Sequence, residues 1–560
     1  MKLLAKLQKW WMVFVILLIF FYLGSSVSPT SKSMFTFHDE TQAARVEQFT
    51  QNLTSFHIPP RMAPEFSYGM GYPVFNFYAP FAYYVTSILN ILGLSVIAAL
   101  KTSFLLALLG AFLGMYLFLK ELFDKSSALF GATLYITSSF IPVEIFVRGN
   151  LSEMWFIALF PITLFLLVKN SKVFTKKTFF LTTVFISFLL TSHNVFSLLS
   201  FLIVPLFISI LANKKRNYLV FALGALMASY FIIPAVLESG LTYASTIATQ
   251  THFADNFLCI KQLWSSPWGF GGSTPGCVSD GMSFALGKPQ IIFGLFGGVI
   301  LLYNLLKRKQ FNPTSPEASR GRSNLTIFVS ILTVVSLSLS LHESQFIWNL
   351  FSPVLSLFQF PWRFLVFGVF GLAYLGAFGF FSVLFSTPLR LRPPQSPYPL
   401  LLSSILSVVL ILSASFLYKG QSLPNTIYES KYLSENYVHN QVAYKIPEYL
   451  PKTADYLVWR SFENKNTLPY SDGQFVKSSL NIHYFPFWRI EVDGTEVIPT
   501  KFDSLGRPLL DLEKGSKVLV TYQQTTIEQF SNLATIITFF SLLGLIFYKL
   551  LWMKIQKIKN

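Results

Sequence analysis

Twelve apolar runs of near membrane-spanning length recur along almost the whole chain, and they leave it few folds to choose from. Backbone inside a bilayer has no water to bond. It must close its hydrogen bonds within a helix, and a span takes about 20 apolar residues. The runs lie near 10–27, 97–119, 127–142, 153–168, 178–192, 195–212, 218–237, 290–306, 324–341, 364–385, 400–418 and 531–552. Only 12% of the 560 residues are charged, about half the share in a soluble protein. The expected fold is an all-α polytopic membrane protein with about twelve transmembrane helices.

Charge fixes the expected orientation. The formal net charge is +17, and short cytoplasmic loops collect Lys and Arg. With Lys2, Lys6 and Lys9 inside and the spans alternating, the inside loops hold Lys120 and Lys125; Lys169, Lys172, Lys176 and Lys177; Lys214, Lys215 and Arg216; Lys307, Arg308, Lys309, Arg320 and Arg322; Arg390 and Arg392; and Lys549, Lys554, Lys557 and Lys559. Every short basic cluster falls on one side. The expected location is the plasma membrane, multi-pass, with both termini cytoplasmic. No basic stripe interleaved with stacking aromatics suggests nucleic acid. "APFAYYVTSILNILGL" (79–94) is apolar but short, and counting it as a span would turn the basic loops outward. It therefore reads as an interfacial or re-entrant helix. No small-residue cleavage site follows the first run, so it reads as a retained span rather than a signal peptide.

This topology sends 28–96, 143–152, 192–195, 238–289, 342–363 and 419–530 to the outer face. The cytoplasmic loops are short and lack a G-x-x-x-x-G-K-[ST] phosphate loop, so chemistry belongs outside. Three parts follow: a transmembrane module over 1–418, a small extracytoplasmic β-rich domain over 419–530, and a last helix with a basic tail over 531–560. In the β-domain, "FWRIEVDGTEVI" alternates apolar and polar residues around Asp493-Gly494, a strong hairpin signal, and "SKVLVTYQQ" reads as another strand. Cys259 and Cys277, the only cysteines, share one outer loop. They form either a disulfide, as an oxidising compartment permits, or two unrelated thiols.

The polar residues at outer lips are the candidate site. His38, Asp39 and Glu40 follow the first span. Asp39 with Gln42 resembles a capping box for a helix carrying Val46, Phe49 and Leu53 at helical spacing. A cap also holds a carboxylate still, as a catalytic base requires. Arg148 and Glu153 flank "GNLS" at a span end, where charges are costly unless paired or functional; otherwise they mark the water boundary. His193 interrupts apolar sequence as either a packed core histidine or a site residue. Arg363 in "FQFPWRF" either snorkels beside Trp362 or joins Arg148 in an anion site. "WSSPWGFGGSTPGCVSDGMSF" (264–284) reads as a loop covering a sugar or lipid pocket, and Asp255 and Asp280 as mostly solvated.

"HDETQAARV", "YGMGYPVFNFYAP", "RGNLSEMW", "FPWRF" and "WGFGGSTPG" together resemble bacterial polytopic proteins with a 6-pyruvoyl-tetrahydropterin-synthase-related membrane domain. The tail "YFPFWRIEVDGTEVI…LEKGSKVLVTYQ" is similar to the end of YfhO-like membrane proteins. The chain shows no soluble pterin-enzyme domain and no histidine zinc triad. The wider kinship this resemblance implies is the GT-C superfamily, membrane glycosyltransferases that use polyprenyl-phosphate sugars at the outer face. It implies an acidic residue in the first outer loop, here Asp39, with Glu40 adjacent in place of a second Asp.

The expected function is transfer of a sugar from a polyprenyl-phosphate donor to a cell-envelope acceptor at the bilayer surface. Asp39 is the expected general base and Glu40 its helper. His38, Arg148, Glu153, His193 and Arg363 are the expected substrate-binding residues. Arg148 and Arg363 would face the lipid phosphate, and Glu153 the sugar or Arg148. A divalent cation suits carboxylates and phosphate, but the sequence does not demand one. The alternatives are a transporter or flippase of lipid-linked sugars, and a non-catalytic glycan-binding scaffold. The acidic residues sit at the lip rather than the midplane and no repeat is evident, which favours the enzyme.

Overall fold

Two glycines, Gly110 and Gly114, set a close helix pair in the bundle. They stand one turn apart on the Val96–Leu122 helix and face Ala158 and Ile162 of the Leu151–Lys172 helix. A Cβ at Gly114 would sit 2.5 Å from Ile162 Cγ1 and 3.1 Å from the Ala158 carbonyl. Small residues at this spacing let helices meet where lipid offers no hydrophobic drive. Gly297 does the same for the Lys288–Leu306 helix against Leu365–Ser386, where a Cβ would strike the Leu375 carbonyl.

The computed structural model describes residues 11–244, 252–276, 280–307, 316–386, 398–441, 447–461, 479–513 and 515–559. Among them, six helices are long and apolar enough to cross a membrane, or eight if two bent pairs each count as one span. Those pairs are Lys125–Ile136 with Phe140–Val147, bent by 47°, and Lys214–Met227 with Ser229–Leu237, bent by 66°. The remaining expected spans correspond to short helices, Trp11–Leu23, Lys176–Leu190 and Asn194–Ser209, and to the long final helix Thr526–Lys559. At about 1.5 Å per residue, the 15 and 16 residues of Lys176–Leu190 and Asn194–Ser209 rise about 23 Å, short of an apolar core about 30 Å thick. The turn between them is drawn into the bundle, and His193 within it is buried. The 79–94 segment forms the 11-residue helix Phe81–Ile91, too short to span. The basic clusters at Lys2–Lys9, Arg308–Lys309 and Arg390–Arg392 lie outside the described residues.

Strand β1 (Ser33–Thr36) pairs antiparallel with β2 (Gln421–Pro424), Met34 opposite Leu423. Their partner is Lys101 of the Val96–Leu122 helix, whose ammonium donates to the carbonyls of Ser31 and Ser33 at 2.6 and 3.3 Å and to Asn425 Oδ1 at 3.4 Å. The first loop is thus stitched to chain almost 400 residues later. The expected hairpin forms: β3 (Trp488–Val492) turns through Asp493 and Gly494, both at positive φ, into β4 (Thr495–Glu496). Strand β5 (Val518–Tyr522) completes the sheet in the order β4-β3-β5. Cys259 is disulfide-bonded; Cys277 lies outside the described residues.

Candidate active site

The His38–Asp39 backbone lies against the end of the bent Phe140–Val147 helix. The His38 and Asp39 amides donate to the Val147 and Arg148 carbonyls at 2.9 and 3.0 Å. Gly149 makes this approach possible. It adopts φ +64°, and a Cβ there would fall 2.1 Å from the Phe37 ring.

Asp39 does not cap the following helix. That helix, Gln42–Thr54, has Thr41 at its N-cap and no side-chain cap bond. The Asp39 carboxylate gathers side chains instead: Gln42 Nε2 donates at 2.5 Å, Thr41 Oγ1 at 3.1 Å, and Arg45 Nη1 stands at 3.8 Å. The Gln42 amide oxygen accepts from the Tyr83 hydroxyl at 2.8 Å, and Arg45 Nη1 donates to that hydroxyl at 3.2 Å. This closed ring leaves Asp39 a quarter exposed while Arg45 is buried. Glu40 beside it is half-buried, and His38 is exposed with Nε2 3.0 Å from the Phe270 carbonyl of the Gly/Trp-rich loop.

Arg148 and Glu153 do pair, and a third residue joins them. Arg148 Nη1 donates to Glu144 at 2.5 Å and Glu153 at 2.6 Å, and its guanidinium lies 4.5 Å from the centre of the Trp362 ring. A widened turn over Val143–Val147 places Glu144 and Arg148 on one side, with the Arg148 amide bonded to the Val143 carbonyl. Asn150 caps the Leu151–Lys172 helix at the Glu153 amide and also donates to the Glu153 carboxylate at 3.0 Å. His193 Nε2 stands 3.9 Å from Glu153.

Beside this network is a cavity of about 510 Å³ with polar and apolar walls. Tyr78, Ser152, His193, Arg363 and Glu448 line one side; Leu198, Phe201 and Val236, each more than a third exposed, line the other. Asn194 shapes the polar wall by bonding the Ala79 amide and the Phe77 carbonyl, both at 2.7 Å. Tyr78 joins the two halves of the site. Its ring lies 4.5 Å from the Arg45 guanidinium. Arg363 bonds the Phe358 carbonyl at 2.8 Å and Gln359 Oε1 at 3.2 Å, while its Nε is buried without a hydrogen-bond partner. Among the described residues no carboxylate forms an ion pair with it.

Burial pushes the Glu448 carboxyl above the ordinary carboxylate value; Arg45 opposes that shift and Asp39 adds to it. Glu144, Arg45, Tyr78 and Glu448 belong to the site and were not singled out in the sequence. Glu144 had a signal, its four-residue helical spacing from Arg148; Glu448 had none. Among the described residues, no three His, Cys, Asp or Glu side chains are grouped to hold a metal ion. Asp39 accepts from two donors beside the Arg45 guanidinium.

The chain is similar in outline to the oligosaccharyltransferase of Archaeoglobus fulgidus in its apo form, at 14% identity, TM-score 0.44, 75% of this chain and 57% of that one. The same archaeal protein, AglB, in complex with an inhibitory peptide and a dolichol-phosphate gives 15% identity and TM-score 0.41 over 74% of this chain and 57% of the other. The arabinofuranosyltransferase AftD from Mycobacteria gives 14% identity and TM-score 0.43 over 74% of this chain and 27% of that one. The chain thus spans little more than half of the archaeal protein. No curated protein matches it. Residues 75–384, more than half of the chain, match the family of membrane proteins described as 6-pyruvoyl-tetrahydropterin synthase related domain, and the chain belongs to that family.

Proposed function

We propose that this membrane protein is a GT-C-type glycosyltransferase that takes a sugar from a polyprenyl phosphate at the outer face of the membrane. One observation carries the reading. A cavity with an exposed apolar wall holds Arg363, a guanidinium without an acidic partner among the described residues, and Tyr78, which lines the same cavity, has its ring 4.5 Å from the guanidinium of the Asp39–Arg45 pair. Such a cavity suits a lipid whose headgroup is anionic.

Asp39 accepts the proton of an acceptor hydroxyl as that oxygen attacks the anomeric carbon, and the bond from that carbon to the phosphate oxygen breaks. Thr41, Gln42 and Arg45 hold the carboxylate in place, so little motion is lost when it acts. Arg363 receives the charge growing on the departing phosphate, where exclusion of water strengthens the attraction. Arg148, its charge already met by two carboxylates, stacks on Trp362 and positions the neighbouring Arg363. Glu153 orients Arg148, and His193 and Glu448 face the sugar. Glu40 orients or assists the base, and His38 latches the Gly/Trp-rich loop. The disulfide at Cys259 supports an extracytoplasmic position for that loop.

The test is sugar transfer by purified, folded Asp39→Asn, read as released polyprenyl phosphate. Loss of a positioned base lowers turnover by about 10²–10⁴-fold; near-native turnover removes Asp39 from the mechanism. A transporter of lipid-linked sugars would move the donor without releasing polyprenyl phosphate, so the same assay separates the two.

A further inference from the structure

A second cleft lies away from the Asp39 site, where the Gln42–Thr54 helix meets the β3–β5 sheet. It encloses about 270 Å³ and is lined by Gln51, His57, Arg61, Trp488 and Tyr522 among others. Trp488 and Tyr522 are direct cross-strand partners, their rings meeting edge to face at 6.2 Å, and His57 stands 5.9 Å from Tyr522 on the other side. The Trp488 indole N–H is already committed to the His483 carbonyl at 3.1 Å, so that residue offers its ring and not a donor.

The polar atoms here are incompletely matched. Arg61 is 2% exposed; its Nη1 donates to Asn76 and Nη2 to Asn532. Its Nε has no hydrogen-bond partner. The nearest acid oxygen, Glu528 Oε1, is 3.7 Å away, beyond hydrogen-bond reach, and is itself without such a partner. The Tyr522 hydroxyl, also buried, is a third. Buried polar groups are nearly always bonded, and each exception calls for a reason. An arginine only donates and a carboxylate only accepts, whereas a hydroxyl does both. Of the two, Arg61 lines the cleft and Glu528 does not, so a ligand hydroxyl oxygen in the cleft can accept from Arg61 Nε. The cleft volume is about nine times the share of one water in the liquid and just under the range of drug-sized pockets, which suits one sugar ring rather than a chain.

We infer that this cleft binds a neutral sugar ring, its C–H face on the Trp488 ring, one hydroxyl accepting from Arg61 Nε and another meeting the Tyr522 hydroxyl. The compensated charge of Arg61 and Glu528 disfavours an anionic ligand. The inference deepens the transfer reading by giving a glycan acceptor a place to dock, and binding itself does not rest on that reading.

The probes are the methyl glycosides of glucose, galactose, mannose and arabinose, followed by saturation-transfer NMR on the full chain in nanodiscs. At least one is expected to receive saturation, and Trp488→Ala to abolish it. Tyr522→Phe, which removes only a hydroxyl, is expected to weaken binding about three- to tenfold. It keeps the test open if Trp488→Ala does not fold. Asp39→Asn is expected to bind as the native chain does, so this site and the catalytic proposal can fail separately. No saturation of any of the four, or binding unchanged by both cleft variants, overturns the inference.

Discussion

Arg148 answers two fully buried carboxylates through one nitrogen, Nη1, and much of the site hangs on it. Removing one partner of a buried charge group costs about 3–5 kcal/mol, because the other charge stays behind. Arg148→Met is therefore expected to lower the melting temperature steeply, and adding Glu144→Gln and Glu153→Gln to recover most of the loss; thermal unfolding of the native chain, the single variant and the triple variant checks this. Gly149→Ala is expected to destabilise as well. The left-handed backbone alone costs about 1–2 kcal/mol for a residue with a Cβ, and Phe37 leaves that Cβ no room. Glu448 gives a pH signature. Its folded carboxyl holds a proton more tightly than the unfolded one, so stability falls as pH rises from the ordinary carboxylate value through the raised one. Glu448→Gln, always neutral, should flatten that part of the melting-temperature profile; an unchanged slope would exclude Glu448 as its source.

Among the elements, the sequence made plain whatever is governed by local rules. Runs of about 20 apolar residues became long helices, and Asp493-Gly494 became a two-residue turn because both positions tolerate positive φ. The short Phe81–Ile91 helix was legible from charge bookkeeping rather than from its own apolarity. The bends after Ile136 and Met227 were not legible, because each interrupts a run that is apolar throughout. Pairing of β1 with β2 was equally hidden: two four-residue strands separated by the whole bundle carry no mutual signal. The same reason hid Arg45 and Glu448, whose roles come from distant neighbours. Asp39 stood out because it follows a span, yet its role as a collector of side chains instead of a cap depends on Tyr83 and Arg45. Lys101→Met tests the strand pair. It removes the donor shared by Ser31, Ser33 and Asn425, and is expected to lower transfer activity while the chain stays folded, as checked by turnover and near-native thermal unfolding.

At the scale of the molecule the reading depends on which side each loop faces. In a chain with both cysteines replaced by serine, Phe56→Cys is expected to react with an impermeant maleimide added to intact cells. Val173→Cys, among Lys169, Lys172, Lys176 and Lys177, is expected to react only after permeabilisation. Both positions are more than half exposed, so silence at either is not a matter of burial. The reverse pattern would place Asp39 in the cytosol and end the case for chemistry on the far side.

The stitch between β1 and β2 governs when the protein can begin to work. Synthesis proceeds from the N-terminus, and Gln421–Pro424 emerge only after most of the membrane helices have been made. Until then the loop bearing Asp39 lacks its clasp, so a ribosome-bound or truncated chain ending before that point carries Asp39, Arg148 and Arg363 and still cannot hold the base in register. Activity is thereby reserved for chains that have been inserted almost to completion.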